Sequence, residues 1–194
     1  MDAHGELLRQ IAVARGRPLH EITAGQGGLV RRVLAGCVDA RERVAWIEYC
    51  NTSFAGLPAG YTLRAAAAGR ALVQYALDVG WGDPEIDHLG WYGDHVVVVG
   101  QFRQLAVVAV PVPNARDDEG VCLELTGPYA IAGARLVFGG RENAGALEAL
   151  SLPDLQPLLP VPLPAPWMRA SKITIDGDDA VIQAAGSDRR LVDV

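Results

Sequence analysis

The sequence predicts an α+β protein: a helical N-terminal half packed on an antiparallel β-meander, with a Pro-rich strap and a small C-terminal β-meander. Apolar residues recur at helical spacing before residue 80, Val-rich runs with short connectors follow from residue 95, and prolines crowd residues 153–166. We expect a single α+β domain over 1–150, helical over 1–79 and mainly strands over 80–150. The strap then covers 151–170, and the C-terminal β-meander over 171–194 packs on the main domain.

Helices are expected throughout the first 79 residues. An amphipathic segment closes near Gly16, and the apolar residues of 29–38 recur at helical spacing, with Arg31 and Arg32 on the opposite face. A third segment covers 40–50. The Ala-rich segment 61–79 is the longest, and because small residues let a neighbouring element approach closely, we expect this helix to be central and buried.

The second half has the pattern of strands. The connectors are short enough for hairpins, which favours an antiparallel meander, and the continuous apolar runs indicate central strands covered on both faces. A short helix is expected at 141–150. The six prolines between 153 and 166 favour an extended strap along the surface. The expected strands are 95–100, 105–112, 121–126 and 129–138, followed by 172–176, 180–184 and 189–194.

Composition restricts the classes of function. Half of the residues are apolar and 21% are charged, which is typical of a folded globular protein. Four Arg stand against ten acidic residues in 80–150, so this half disfavours nucleic acid and favours a basic protein partner. The strong preference for Arg over Lys is typical of GC-rich bacterial genomes. With no apolar run of membrane length and no signal pattern, we expect a cytoplasmic protein that does not contact a membrane.

The segment from Gly80 to Gly100 is the most distinctive part of the chain. It reads GWGDPEIDHLGWYGDHVVVVG and concentrates Trp, His and carboxylates beside a Val-rich strand. Aromatic and His side chains ringed by acids are typical of a protein-binding surface. The leading hypothesis is therefore a non-enzymatic bacterial interaction module of the immunity, antitoxin or adaptor kind. Its expected binding residues are Trp81, Asp83, Glu85, Asp87, His88, Trp91, Tyr92, Asp94 and His95.

Two other classes of function remain open. Asp-His occurs twice, at His88 and His95, and imidazole with carboxylate can bind a metal or act in general base catalysis. The spacing fits no established metal signature, so we expect no catalytic residue, no metal and no cofactor. The third hypothesis is a helix-turn-helix regulator over 7–38 that reads DNA through Arg31 and Arg32.

Overall fold

The structure is a computed structural model, and it describes residues 31–50, 59–67, 70–112, 120–139, 145–163, 170–176, 179–184 and 187–191. Every regular element in these ranges is a β-strand, and none of the described residues is helical. The predicted α+β class is therefore wrong. The described chain is all-β, built from several antiparallel sheets.

The first of two compact units covers residues 1–122 and contains two meanders that follow one another along the chain. Each strand pairs with its neighbour in sequence, so one sheet is completed before the next begins. The first sheet consists of β1 (Arg31–Val38), β2 (Val44–Cys50), β3 (Gly60–Ala67) and β4 (Arg70–Leu77). The second consists of β5 (Glu85–Tyr92), β6 (His95–Gln101), β7 (Leu105–Pro111) and β8 (Val121–Glu124), and the unit boundary falls within β8.

The two sheets of this unit share one hydrophobic core. Successive side chains of a strand point to opposite faces, so only alternate residues enter it. Complete burial of a Val, Leu or Ile side chain contributes about 1.5–3 kcal/mol, which makes this core the main force that holds the sheets together. The core residues are Ala45, Ile47, Leu63, Ala65 and Leu77 from the first sheet and Val96, Val98, Val108 and Val110 from the second.

The second unit, residues 123–194, repeats this plan with shorter strands. One sheet contains β9 (Tyr129–Ala132), β10 (Arg135–Phe138), β11 (Ala146–Ser151) and β12 (Val161–Pro162), and the other contains β13 (Lys172–Asp176), β14 (Asp179–Ala184) and β15 (Ser187–Leu191). The shared core of this unit consists of Ala130, Val137, Leu147, Ala149, Val161, Leu163, Ile173 and Ile182.

The structure has strands where the sequence predicted helices. Strands β1, β2, β3, β4 and β11 lie in the predicted helical ranges 29–38, 40–50, 61–79 and 141–150, so these helix predictions are wrong. The physical reason is clearest in β3. Leu63 and Ala65 are buried on one face, and Thr62 and Ala66 are buried on the other. A strand covered on both faces shows no alternation of polar and apolar residues, so its Ala content was the stronger signal, and it favoured a helix.

The structure has a strand where the helix-turn-helix hypothesis requires its recognition helix. Arg31 and Arg32 begin strand β1, which pairs with β2 from Arg31 to Val38 with one irregularity between Val33 and Ala35. The predicted helix over 7–16 lies outside the described residues. The strands predicted from 95 onward lie where expected, except that 129–138 forms the two strands β9 and β10 rather than one. Within the described part of the chain, no helical segment has the length and apolarity needed to cross a bilayer.

Candidate functional site

The segment before β5 displays a tryptophan at its tip. Trp81 has a relative exposure of 105%, which means that its indole ring is entirely in solvent. The segment has a hydrogen bond directly after this residue and an ion pair before it. The Tyr61 hydroxyl donates to the Asp83 carboxylate at 2.6 Å and lies 3.2 Å from the Gly82 carbonyl. Before Trp81, Asp78 pairs with Arg103 at 2.9 Å, and both of these side chains are mostly exposed. Trp81 therefore projects from a segment that Tyr61 anchors on one side.

The carboxylates of the predicted surface divide into two groups. Asp83 accepts from Tyr61, and Asp94 pairs with Arg43 at 3.2 Å, so both hold local structure. Glu85 and Asp87 are exposed on β5 and form no ion pair with any described residue. Of these four carboxylates, Glu85 and Asp87 therefore carry negative charge that no described residue compensates by an ion pair.

A β-bulge decides which way the β5 side chains point. The pairing of β5 with β6 shifts between Ile86 and His88, after which Leu89 and Trp91 face the shared core of the first unit. Gly100 makes the close approach possible, because a Cβ at this position would lie 2.5 Å from the Glu85 carbonyl oxygen. Beyond the bulge, His88 and Tyr92 consequently point away from that core.

His88 and Tyr92 form a pair on this second face of β5. The Tyr92 hydroxyl and His88 Nε2 are 3.1 Å apart and hydrogen bonded. Gly90 leaves room for the imidazole, because a Cβ there would lie 2.9 Å from Nε2. Burial lowers the pKa of His88 below its usual 6.5 and raises the pKa of Tyr92 above its usual 10.0. Both groups are therefore uncharged at neutral pH.

Of the five aromatic and His residues predicted for the surface, the four that lie on β5 and β6 do not share a face. His95 lies opposite Tyr92 in the β5–β6 ladder, so it is on the same side as the His88–Tyr92 pair. Trp91 is on the other side, against the core. Among the described residues, no three His, Cys, Asp or Glu side chains are grouped in a way that could hold a metal ion. Two histidines on one face therefore gain no third ligand from this part of the chain.

Trp91 belongs to a cluster that sequence reasoning missed. Arg43 places its guanidinium 4.1 Å from the centroid of the Trp91 ring, donates to the Gly93 carbonyl at 2.8 Å and pairs with Asp94. Its Nε lies 2.7 Å from Asp39. Arg43 thereby connects the β1–β2 turn of one sheet to the β5–β6 turn of the next. A cation over a partly buried ring contributes about 0.5–2 kcal/mol.

Asp39 forms the β1–β2 turn from which Arg43 reaches out. Burial alone would raise the pKa of Asp39, but the side-chain hydrogen bond from Arg43 and the backbone N–H groups of Arg43 and Arg41 outweigh it, so the pKa falls below 3.8. The carboxylate is thus held in its charged form. An Asp followed four residues later by Arg, between two apolar runs, is the signal that could have identified this turn.

A second missed cluster lies on the other face of the first sheet. Glu48 is only 2% exposed, and it accepts a hydrogen bond from the Trp46 indole N–H at 3.0 Å. Arg64 Nε lies 2.6 Å from Glu48 Oε1, although the N–H does not point at an acceptor. Arg64 also donates to Gln74 at 3.4 Å. This cluster is a buried ion pair, and its sequence signal is a charged residue inside each of two otherwise apolar strands.

Comparison with known proteins does not name a family. No family model and no curated protein matches the chain. It is similar in structure to the computationally designed Ika4 protein, with 13% identity and a TM-score of 0.43 over 89% of this chain and 96% of that one. The designed Ika8 protein shows 13% identity and a TM-score of 0.42 over 87% and 47%, and a luciferin-regenerating enzyme shows 15% and 0.37 over 80% and 54%. At these values the likeness carries no statement about function.

Proposed function

We propose that the protein binds another protein through the Trp81 surface, defined as Trp81, Glu85 and Asp87. The observation that carries the proposal is the complete exposure of Trp81 on a segment that Tyr61 anchors by a hydrogen bond directly after it. Large aromatic side chains are mostly buried in folded proteins, and those left exposed are enriched at the centres of protein interfaces.

The anchored segment favours binding for an energetic reason. A partner that buries a flexible loop must offset the entropy lost when the loop becomes ordered, at about 0.5–1.5 kcal/mol for each immobilised side chain. Tyr61 already holds the backbone directly after Trp81. Binding must then order the Trp81 side chain itself, but less of the backbone that carries it.

The negative charges of Glu85 and Asp87 favour a basic partner. Glu85 and Asp87 are exposed on β5, which is an edge strand of its sheet. Carboxylates at the rim of an interface accelerate association with an oppositely charged surface and disfavour acidic partners. We expect a partner with an apolar pocket for the indole and with Lys or Arg around it, as in a module of the immunity, antitoxin or adaptor kind.

The test compares variants of the full chain as immobilised bait in lysate of the source cells. Wild type and Val121→Ser, a control at an exposed apolar side chain outside the Trp81 surface, are expected to retain one stoichiometric protein. Trp81→Ala is expected to lose it, and Glu85→Gln with Asp87→Asn is expected to bind it more slowly and with less dependence on salt. The captured protein, once purified, should shift the fluorescence of wild type but not of Trp81→Ala.

Two results would contradict the proposal. One is equal capture of the same proteins by wild type and Trp81→Ala. The other is the absence of any stoichiometric protein from the wild-type bait. Because Trp81 is fully exposed, its substitution leaves the core intact, so the loss of capture would report on binding rather than on folding.

A further inference from the structure

The second unit carries a proline-rich segment that the proposed function does not use. Pro157 to Pro160 reads Pro-Leu-Leu-Pro, and every residue from 156 to 160 is exposed. Leu159 is 84% exposed, which is unusual for a large apolar side chain. We name residues 157–160 the PLLP segment.

The backbone explains why the PLLP segment protrudes. Pro157 lies opposite Leu150, and Val161 lies opposite Leu147, so four steps along the segment match three steps along β11. The one extra residue must bow away from the sheet. The segment is nevertheless held in place, because the Leu158 N–H donates to the Ala149 carbonyl at 2.8 Å.

Proline also restricts how a partner could bind here. β12 is an edge strand of its sheet, but Pro157, Pro160 and Pro162 have no backbone N–H to donate. Such an edge resists pairing with a further strand. What the segment offers is its outward side chains on an extended backbone, and Pro-x-x-Pro favours the polyproline II conformation.

A positive charge accompanies the segment. Arg135 donates from Nη2 to the Leu159 carbonyl at 3.2 Å, which places its guanidinium beside the PLLP backbone. Among the described residues Arg135 forms no ion pair. Its charge is therefore not neutralised by any carboxylate in the described part of the chain.

We propose that the PLLP segment is a preformed docking ligand for a domain whose groove is lined by aromatic side chains and bordered by a carboxylate. Aromatic grooves receive Pro-x-x-Pro segments because the extended conformation loses little entropy on binding. Arg135 supplies the charge that complements the carboxylate. This surface is independent of the Trp81 surface.

The experiment titrates the full-length protein with three purified probes, namely an SH3, a WW and an EVH1 domain. We expect at least one of them to bind saturably. Leu159→Ser should weaken that complex about tenfold, as should the double variant Pro157→Ala/Pro160→Ala, while Trp81→Ala leaves it unchanged. Thermal unfolding followed by circular dichroism shows whether each variant is folded.

The proposal is overturned if none of the three domains shows saturable binding at about 1 mM, a concentration that detects even weak complexes. It is also overturned if a folded Leu159→Ser variant and the folded double proline variant bind as tightly as wild type. Loss of binding in Trp81→Ala but not in Leu159→Ser would assign the contact to the Trp81 surface instead.

Discussion

Replacement of Glu48 by Leu is expected to destabilise the first unit strongly. The substitution keeps most of the side-chain volume, so it creates little cavity, but it removes a buried carboxylate that has two close partners among the described residues. It takes away the acceptor of the Trp46 indole N–H at 3.0 Å. It also takes away the charge 2.6 Å from Arg64 Nε.

The magnitude follows from burial. Removal of one member of a buried ion pair costs about 3–5 kcal/mol, because the other charge is left without compensation. The Arg64 side chain is 13% exposed, so solvent partly stabilises the unpaired guanidinium, and the lower end of this range applies. Loss of the indole acceptor adds to this effect. We expect a decrease of about 3–4 kcal/mol in the free energy of unfolding, against a total of about 5–15 kcal/mol for a typical domain.

The assay is urea unfolding followed by Trp fluorescence in a Trp167→Phe background, because the other three Trp residues, Trp46, Trp81 and Trp91, all lie in residues 1–122 and then report on the first unit. Asp78→Leu is the matched control, because the ion pair of Asp78 with Arg103 is mostly exposed. Exposed pairs contribute about 0–1 kcal/mol, so this variant should stay close to wild type.

A double variant separates the ion pair from simple packing. Glu48→Leu combined with Arg64→Met replaces the pair by apolar side chains of similar volume, and such replacements are often neutral or stabilising. We therefore expect the double variant to recover most of the stability lost by Glu48→Leu. The reasoning is refuted if Glu48→Leu loses no more than Asp78→Leu, or if the double variant loses the sum of the two single changes.

Three further predictions concern single side chains. Burial lowers the pKa of His88, so the folded chain binds its proton less readily than the unfolded chain, and stability should fall as the pH drops below about 6.5. Urea midpoints at pH 7 and 5 should show a smaller fall for His88→Gln, and an equal fall would contradict the assignment. Cys122 is exposed, whereas burial raises the pKa of Cys37 to about 11, so a thiol reagent at pH 8 should modify Cys122 at least ~100-fold faster, as mass spectrometry of peptides can measure. Gly127→Ala should cost about 3 kcal/mol, because φ is +96° and the added Cβ would meet a backbone carbonyl, while Gly133→Ala, at φ +56° with open space, should cost about 1 kcal/mol. Both glycines lie in the second unit, so urea unfolding is followed by circular dichroism, and equal losses would refute the steric argument.

The sequence predicts the strands after residue 94 because their signals agree with one another. Val96 to Val99 and Leu105 to Val110 are β-branched or aliphatic runs of strand length, and a short polar connector separates them. Runs of β-branched residues of this length favour a buried strand over a helix. The strands of the first sheet send a weaker signal, because Ala, Leu and Arg also favour helices.

The candidate site shows a similar limit. The density of Trp, His and carboxylates identified the segment that contains Trp81, but it did not reveal which side chains are exposed. That depends on the bulge after Ile86, which shifts the alternation of β5 by one residue. Nothing local in the sequence marks a bulge. Arg43 was missed because its partners Gly93 and Asp94 lie about fifty residues away along the chain.

The contacts of the carboxylates between residues 80 and 95 show that they have different roles. Asp83 accepts a hydrogen bond from Tyr61 and so helps to position the segment before β5. Asp94 pairs with Arg43 and so helps to position the β5–β6 turn. Glu85 and Asp87 form no ion pair with any described residue. Two uncompensated charges on an exposed edge strand do not stabilise the fold. Such charges do discourage pairing between sheet edges and attract basic surfaces. Because a completely exposed Trp81 precedes them, we propose that attraction of a basic surface is the more important of the two effects.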